Sequence, residues 1–188
     1  MRILPAALYC CAKELPDKEA IDIIHKVGGL THAHICCNIG CGLYFFMTRA
    51  LLSNAGSLKD RLRNGLAEGF AYYEAALSDH EFLEKYDRLR DLDAFAALPE
   101  RKIYSTGYVV DTLEAALWSL LNEETFGDTL LRAVNLGEDT DTVGAVAGGL
   151  AGLYYGSEGI PADWVEAIAS REWIDRVCEK ANELFPMK

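Results

Sequence analysis

The chain has 188 residues, 51% of them hydrophobic, with a formal net charge of -11 and a sequence pI near 4.8. That length and apolar content suffice for one buried core, so a single domain over residues 1–188 is expected. The acidic balance argues against a nucleic-acid surface or a surface for anionic membranes, both of which need clustered Lys and Arg, and an anionic ligand would need a local neutraliser such as a divalent cation.

Arg2 followed by the apolar run at 3–9 imitates a secretory leader, but no small-x-small cleavage site follows, so the segment reads as domain rather than address. Residues 17–27 place Ala20, Ile21, Ile23, Ile24 and Val27 at helical spacing, and Gly28 with Gly29 would end that helix. Thr31 is placed to cap the next helix, through Leu43, Phe46, Met47, Ala50 and Leu51. Ser57 opens another through Leu62, Leu66, Phe70 and Tyr73, closing near Ser78 and Asp79. From 79 to 93 charge is dense and mixed, which predicts a solvated helix face, and Pro99 breaks the pattern.

Residues 109–122, with Leu113, Ala116, Leu117, Leu120 and Leu121, predict a strongly amphipathic helix, and 125–134 a shorter one. Pro161 starts another, and 171–185 closes the chain with Trp173, Ile174, Val177, Cys178, Ala181 and Leu184. No strand pattern, repeat or linker is visible, and no apolar run is expected to reach the ~18 residues of a membrane span. The fold class is all-α, one compact bundle. Cys10, Cys11, Cys36, Cys37, Cys41 and Cys178 contain no CxxC pair. Cys37 and Cys41 share a helical face that could hold half a thiolate site, against which small buried thiols are favoured. A reducing, cytoplasmic setting fits this usage.

The run Gly137-Glu138-Asp139-Thr140-Asp141-Thr142 sets three hard oxygen donors, Asp139, Asp141 and Thr142, at a helix mouth. Such donors suit Mg²⁺, Mn²⁺ or Ca²⁺, although the same residue types are ordinary helix caps. Gly144, Gly148, Gly149 and Gly152 follow, each costing a helix about 1 kcal/mol relative to Ala. Three of them recur every fourth residue on one face, which implies close approach of another backbone and a central, tightly packed helix.

Several stretches together resemble the ADP-ribosylglycohydrolase family: Met1-Arg2-Ile3-Leu4-Pro5, Thr31-His32-Ala33-His34, the segment 105–118 with Ser105, Gly107-Tyr108-Val109 and Thr112-Leu113, the acidic run ending at Thr142, and Ile160-Pro161 to Trp164. The segment 105–118 is most similar to the dinitrogenase reductase-activating glycohydrolase branch. The resemblance implies an orthogonal helical bundle and metal-dependent hydrolysis of the glycosidic bond between ADP-ribose and its acceptor, with protein arginine favoured. It also implies two Mg²⁺ or Mn²⁺ ions that bind the ribose diol beside an activated water. By motif position Asp139, Asp141 and Thr142 would be metal ligands, with Asp141 bridging. His32 would contact ribose or pyrophosphate, and Gly107 and Tyr108 would line the nucleotide pocket.

Read without the family, His32 is a helix-start residue serving a backbone carbonyl, and Tyr108 is a core aromatic with its hydroxyl at the surface. His34 would point away from His32 on a helix, and Asp111 and Glu114 would be acids of a helix first turn. No catalytic acid or base is assigned. The family's Gly-Asp-x-x-Gly and Thr-Asp-Asp segments are absent, so its N-terminal helices and half of its metal ligands are expected to be missing. Three ligands cannot satisfy two ions that each want about six oxygens. A separate N-terminal half or a second copy of the chain, docking on apolar surface left exposed, is the expected remedy. Two functions follow: a hydrolase acting on an ADP-ribosylated protein or small molecule, or a non-catalytic remnant serving as a nucleotide-binding or structural module.

Overall fold

The computed structural model describes residues 3–53 and 55–186; Met1 and Arg2 of the first motif lie outside them. Within the described residues the chain forms eleven α-helices and no strand, the all-α class expected. The spine is α3 (Ile35–Leu52), of whose 18 residues eleven are buried, among them Leu43, Phe45, Phe46 and Met47. It packs against α1 (Ile3–Ala12), α2 (Asp17–Gly29), α4 (Leu58–Ala76), α7 (Val109–Leu121) and α9 (Thr140–Tyr155).

This helix corrects the expectation about membrane spans. With a mean hydropathy of 1.5 it is long and apolar enough to cross a membrane by length and composition. Its apolar residues are largely buried against neighbouring helices. Its start also differs from expectation. The cap is His34, whose Nδ1 accepts the Cys36 N–H at 3.2 Å. Thr31 instead lies in an exposed turn, and Gly28 and Gly29 belong to α2.

Ser57 does cap α4, through a reciprocal box in which its hydroxyl accepts from Asp60 N–H and the Asp60 carboxylate accepts from Ser57 N–H. Close approach of α3 and α4 depends on glycine: a Cβ built at Gly65 would lie 2.7 Å from the Phe46 carbonyl oxygen and 2.8 Å from Met47 Cα.

The charged stretch after α4 is not one solvated helix. It breaks into α5 (Glu81–Glu84), a 3-10 turn at Asp87–Arg90 and α6 (Leu92–Ala96), and it buries Leu83, Tyr86, Leu89, Leu92 and Phe95. That spacing of three is what tight 3-10-like turns present to a core, and the charges occupy the positions between. α7 is likewise more enclosed than a surface amphipathic helix, burying ten residues in a row but for one position, Glu114 among them.

α8 (Phe126–Asn135) packs on the glycine face of α9, but with side chains rather than with the backbone approach expected. Cβ atoms at Gly144, Gly148 and Gly152 would meet Val134 at 3.2 Å, Leu130 at 3.3 Å and Phe126 at 3.9 Å respectively. One helix thus offers large residues every fourth position and the other offers none, in opposite chain directions. Two further helices, α10 (Ala162–Ala167) and α11 (Arg171–Leu184), end the described chain. α11 has the amphipathic stripe expected, yet none of its residues is buried, and Trp173 is 61% exposed.

Candidate active site

The start of α1, the end of α2, the turn at 31–34, α3, Gly107 and Tyr108 with the first turns of α7, and the mouth of α9 line a cavity of about 590 Å³. That volume lies in the range of small-molecule and cofactor sites. Hydrogen bonds between Ser105 and the turn before α9 tie the two walls together. Asp139 N–H donates to the Ser105 carbonyl at 3.0 Å, and the buried Ser105 hydroxyl donates to the Gly137 carbonyl at 3.0 Å. Gly137 and Glu138 turn the chain there with φ of 87° and 52°.

The neighbouring segment is braced in turn. Thr106 Oγ1 donates to Asp111 at 2.6 Å and accepts from Tyr108 N–H at 3.1 Å, and the Thr112 hydroxyl donates to the Thr106 carbonyl at 3.0 Å. Asp111 is thus a first-turn acid that orders this segment. Ser105 and Thr106 were legible in the sequence only as motif letters; the hydrogen bonds show what they do.

Asp139 occupies the N-cap position of α9 but its side chain makes no capping bond. Its Oδ1 instead accepts from the Thr142 hydroxyl at 2.9 Å. Its Oδ2 lies so near Gly107 that a Cβ there would be 3.1 Å away, which gives Gly107 a steric reason. Asp139, Thr142, Gly107 and Tyr108 all line the cavity, whereas Asp141 is exposed and lies outside its lining.

Asp139 and Thr142 therefore offer hard donors that fit part of the shell of one divalent ion. Among the described residues no group of three His, Cys, Asp or Glu side chains gathers for a metal. The donors that this chain brings together do not fit a two-ion centre.

His32 and His34 both border the cavity. The expectation that His34 points away assumed a helix through both; the residues precede α3, so the helical rule does not apply. The ring of His32 takes no hydrogen bond among the described residues. That of His34 stands edge-on to Phe82 at 5.0 Å. Tyr108 is 46% exposed, and its hydroxyl reaches inward to Cys36 Sγ at 3.5 Å, the reverse of a core ring with a surface hydroxyl. Beneath it the buried Tyr86 hydroxyl donates to the Cys36 carbonyl at 2.9 Å.

Glu114 is the residue that sequence reasoning misjudged most. It is buried on α7 against Arg88 at 2.5 Å, with Oε1 unpartnered, and burial pushes its carboxyl up to about 7 although Arg88 opposes the rise.

The described residues form an all-α helical bundle with hard oxygen donors at one wall of an open cavity and the Tyr108 side chain at another. Residues 1–188 match the profile of the ADP-ribosylglycohydrolase family, and the chain belongs to that family. The ADP-ribosylarginine hydrolase Tri1 of Pseudomonas putida (strain GB-1) is 51% identical over 84 residues, 45% of this chain and 22% of that protein. The ADP-ribosyl-dinitrogen reductase glycohydrolase of Rhodospirillum rubrum is 42% identical over 64 residues, 34% of this chain and 22% of that one. A solved structure titled "ADP-ribosylglycohydrolase-related protein complex" superposes with a TM-score of 0.72 at 29% identity, covering 96% of this chain and 56% of its own. The matched stretch thus spans less than a quarter of these two relatives and about half of the solved chain.

Proposed function

We propose that this chain carries the nucleotide-binding part of a hydrolase that releases ADP-ribose from a modified protein, with arginine as the acceptor residue. One observation carries the reading: Gly107, Tyr108, Asp139 and Thr142, distant in sequence, converge on one cavity in a chain of this family. The arginine assignment draws on the activity for which the Pseudomonas relative is named.

In this reading Tyr108 offers its ring to the base or ribose, and Gly107 keeps the space beside the Asp139 carboxylate clear. Asp139 and Thr142 would hold a Mg²⁺ or Mn²⁺ ion, Asp141 would supply a further carboxylate, and His32 would contact ribose or pyrophosphate at the rim. Such an ion, when bound, orients the ribose diol and makes a nearby water more acidic. A two-ion centre needs further ligands, supplied by the rest of the fold, on this polypeptide or a separate one, or by a second copy. The cytoplasm is the compartment proposed.

The deciding experiment is calorimetric titration of Mn²⁺ into the purified chain, with and without ADP-ribose, alongside Asp139→Ala. Micromolar binding that tightens with ADP-ribose and is lost in the variant is the expected result. Weak binding indifferent to ADP-ribose would overturn a self-sufficient metal site and leave either a half-site that needs its other half or the non-catalytic module.

A further inference from the structure

Three residues lining the cavity are cysteines of one helix, Cys36, Cys37 and Cys41, and the proposed hydrolase uses none of their thiols. Cys36 is engaged with the hydroxyls of Tyr86 at 3.8 Å and Tyr108 at 3.5 Å. Cys37 and Cys41 remain, both free and half-buried. Four residues apart on α3, they share a face with Cβ atoms about 5–6 Å apart.

A disulfide needs Cβ atoms about 3.5–4.5 Å apart, so this pair is too wide to close on itself. One atom bonded to both sulfurs, at about 2.3 Å from each as in zinc–thiolate centres, spans the gap. Among the described residues no third His, Cys, Asp or Glu completes a metal-holding group here. Two soft donors facing an open cavity suit a thiophilic centre that takes two sulfurs and carries its third substituent into free space, rather than a four-ligand zinc.

We propose that Cys37 and Cys41 form a dithiol site for trivalent organoarsenicals in the wall of the cavity, and that an arsenical bound there excludes ADP-ribose. The binding stands on the cysteine geometry alone, and the exclusion rests on the nucleotide reading above.

The chemistry balances without an oxidant. Phenylarsonous acid, the hydrated form of phenylarsine oxide, exchanges its two As–OH bonds for two As–S bonds. Each thiol proton leaves with one hydroxyl as water, and arsenic stays trivalent. Burial holds the Cys41 thiol up at about 11 and raises that of Cys37 as well. Both therefore arrive protonated, which slows ordinary thiolate alkylation but supplies the protons that the departing waters need.

The test is intact-mass spectrometry of the full chain after one equivalent of phenylarsine oxide. A single adduct, lighter by two waters than protein plus phenylarsonous acid, is expected. Cys37→Ser and Cys41→Ser should each weaken its retention about 100-fold or more, the gain conferred by a second tethered contact. Cys10→Ser and Cys178→Ser should leave it unchanged. Undiminished retention by Cys37→Ser protein, or loss in Cys178→Ser, overturns the pairing. Cys41→Ala, with helicity checked by circular dichroism, replaces Cys41→Ser if the hydroxyl disturbs packing against Gly28.

Calorimetry of the loaded protein then reads the second half. Lost ADP-ribose affinity supports exclusion, and unchanged affinity overturns it while leaving the dithiol site intact. Failure of the unloaded chain to bind ADP-ribose would sink the nucleotide reading without touching the mass result.

Discussion

Replacing Gly65 by alanine tests the close approach of α3 and α4, which shapes the helix that lines the cavity. The new methyl would sit 2.8 Å from Met47 Cα and 2.7 Å from the Phe46 carbonyl oxygen. Carbon pairs settle at about 3.5 Å or more, so the helices must part by roughly 0.7 Å. The obstacle is backbone, which cannot rotate aside as a side chain can. Overpacking of this kind costs about 1–3 kcal/mol, here toward the upper end, against a gain of about 1 kcal/mol in helix propensity. The net is a loss of about 2 kcal/mol, or roughly 4–8 °C in Tm for a chain of this size.

Gly152→Ala supplies the internal control. Its methyl would meet Phe126 at an ordinary 3.9 Å, so only the propensity gain of up to about 1 kcal/mol remains. Thermal and urea denaturation of both variants, followed by circular dichroism, should show opposite signs. A Gly65→Ala protein as stable as the parent would refute the helix spacing.

Glu114→Gln should flatten the pH dependence of stability. Between about 4.5 and 7 the unfolded chain has released this proton and the folded chain keeps it, so parental stability falls as pH rises through that window. Urea midpoints across the window check this, and an unchanged slope in the variant counts against it. Tyr108→Ala should weaken ADP-ribose binding about tenfold or more, the scale of a lost base stack of ~1–3 kcal/mol, while Tyr108→Phe keeps it within about twofold; calorimetry reads both. Trp173→Ser should shift the stability of the isolated chain by less than about 0.5 kcal/mol, as suits a side chain that is 61% exposed, and a larger drop in the urea midpoint would contradict that exposure.

Helix positions were legible wherever one apolar stripe met one core, as in α2 and α4. The fourfold glycine spacing of α9 announced a close neighbour, but that neighbour, α8, fills the space with side chains rather than backbone. The stretch 79–93 misled because a three-residue repeat of buried side chains lies between charges, and charge density hides it from a helical template. The cap of α3 was misread because histidine is not among the usual capping residues, so Thr31 drew attention from His34. Of the candidate site, Asp139, Thr142, Gly107, Tyr108 and His32 do border one cavity. Motif order pointed to them, since no local pattern joins residues so far apart. Glu114 escaped because nothing in its own helix predicts the Arg88 that meets it from the preceding 3-10 turn.

The bare stripe of α11 has a colloidal consequence. Copies of a chain with a net charge of -11 hold one another off in dilute buffer. Near pH 4.8 that mutual repulsion vanishes, and at high salt it is screened to within a few ångströms of the surface. What then governs encounters is the oily ridge of Trp173, Ile174, Val177 and Leu184. Purification near neutrality in modest salt keeps that ridge from becoming glue, and an acidic or salting-out step invites self-association through it.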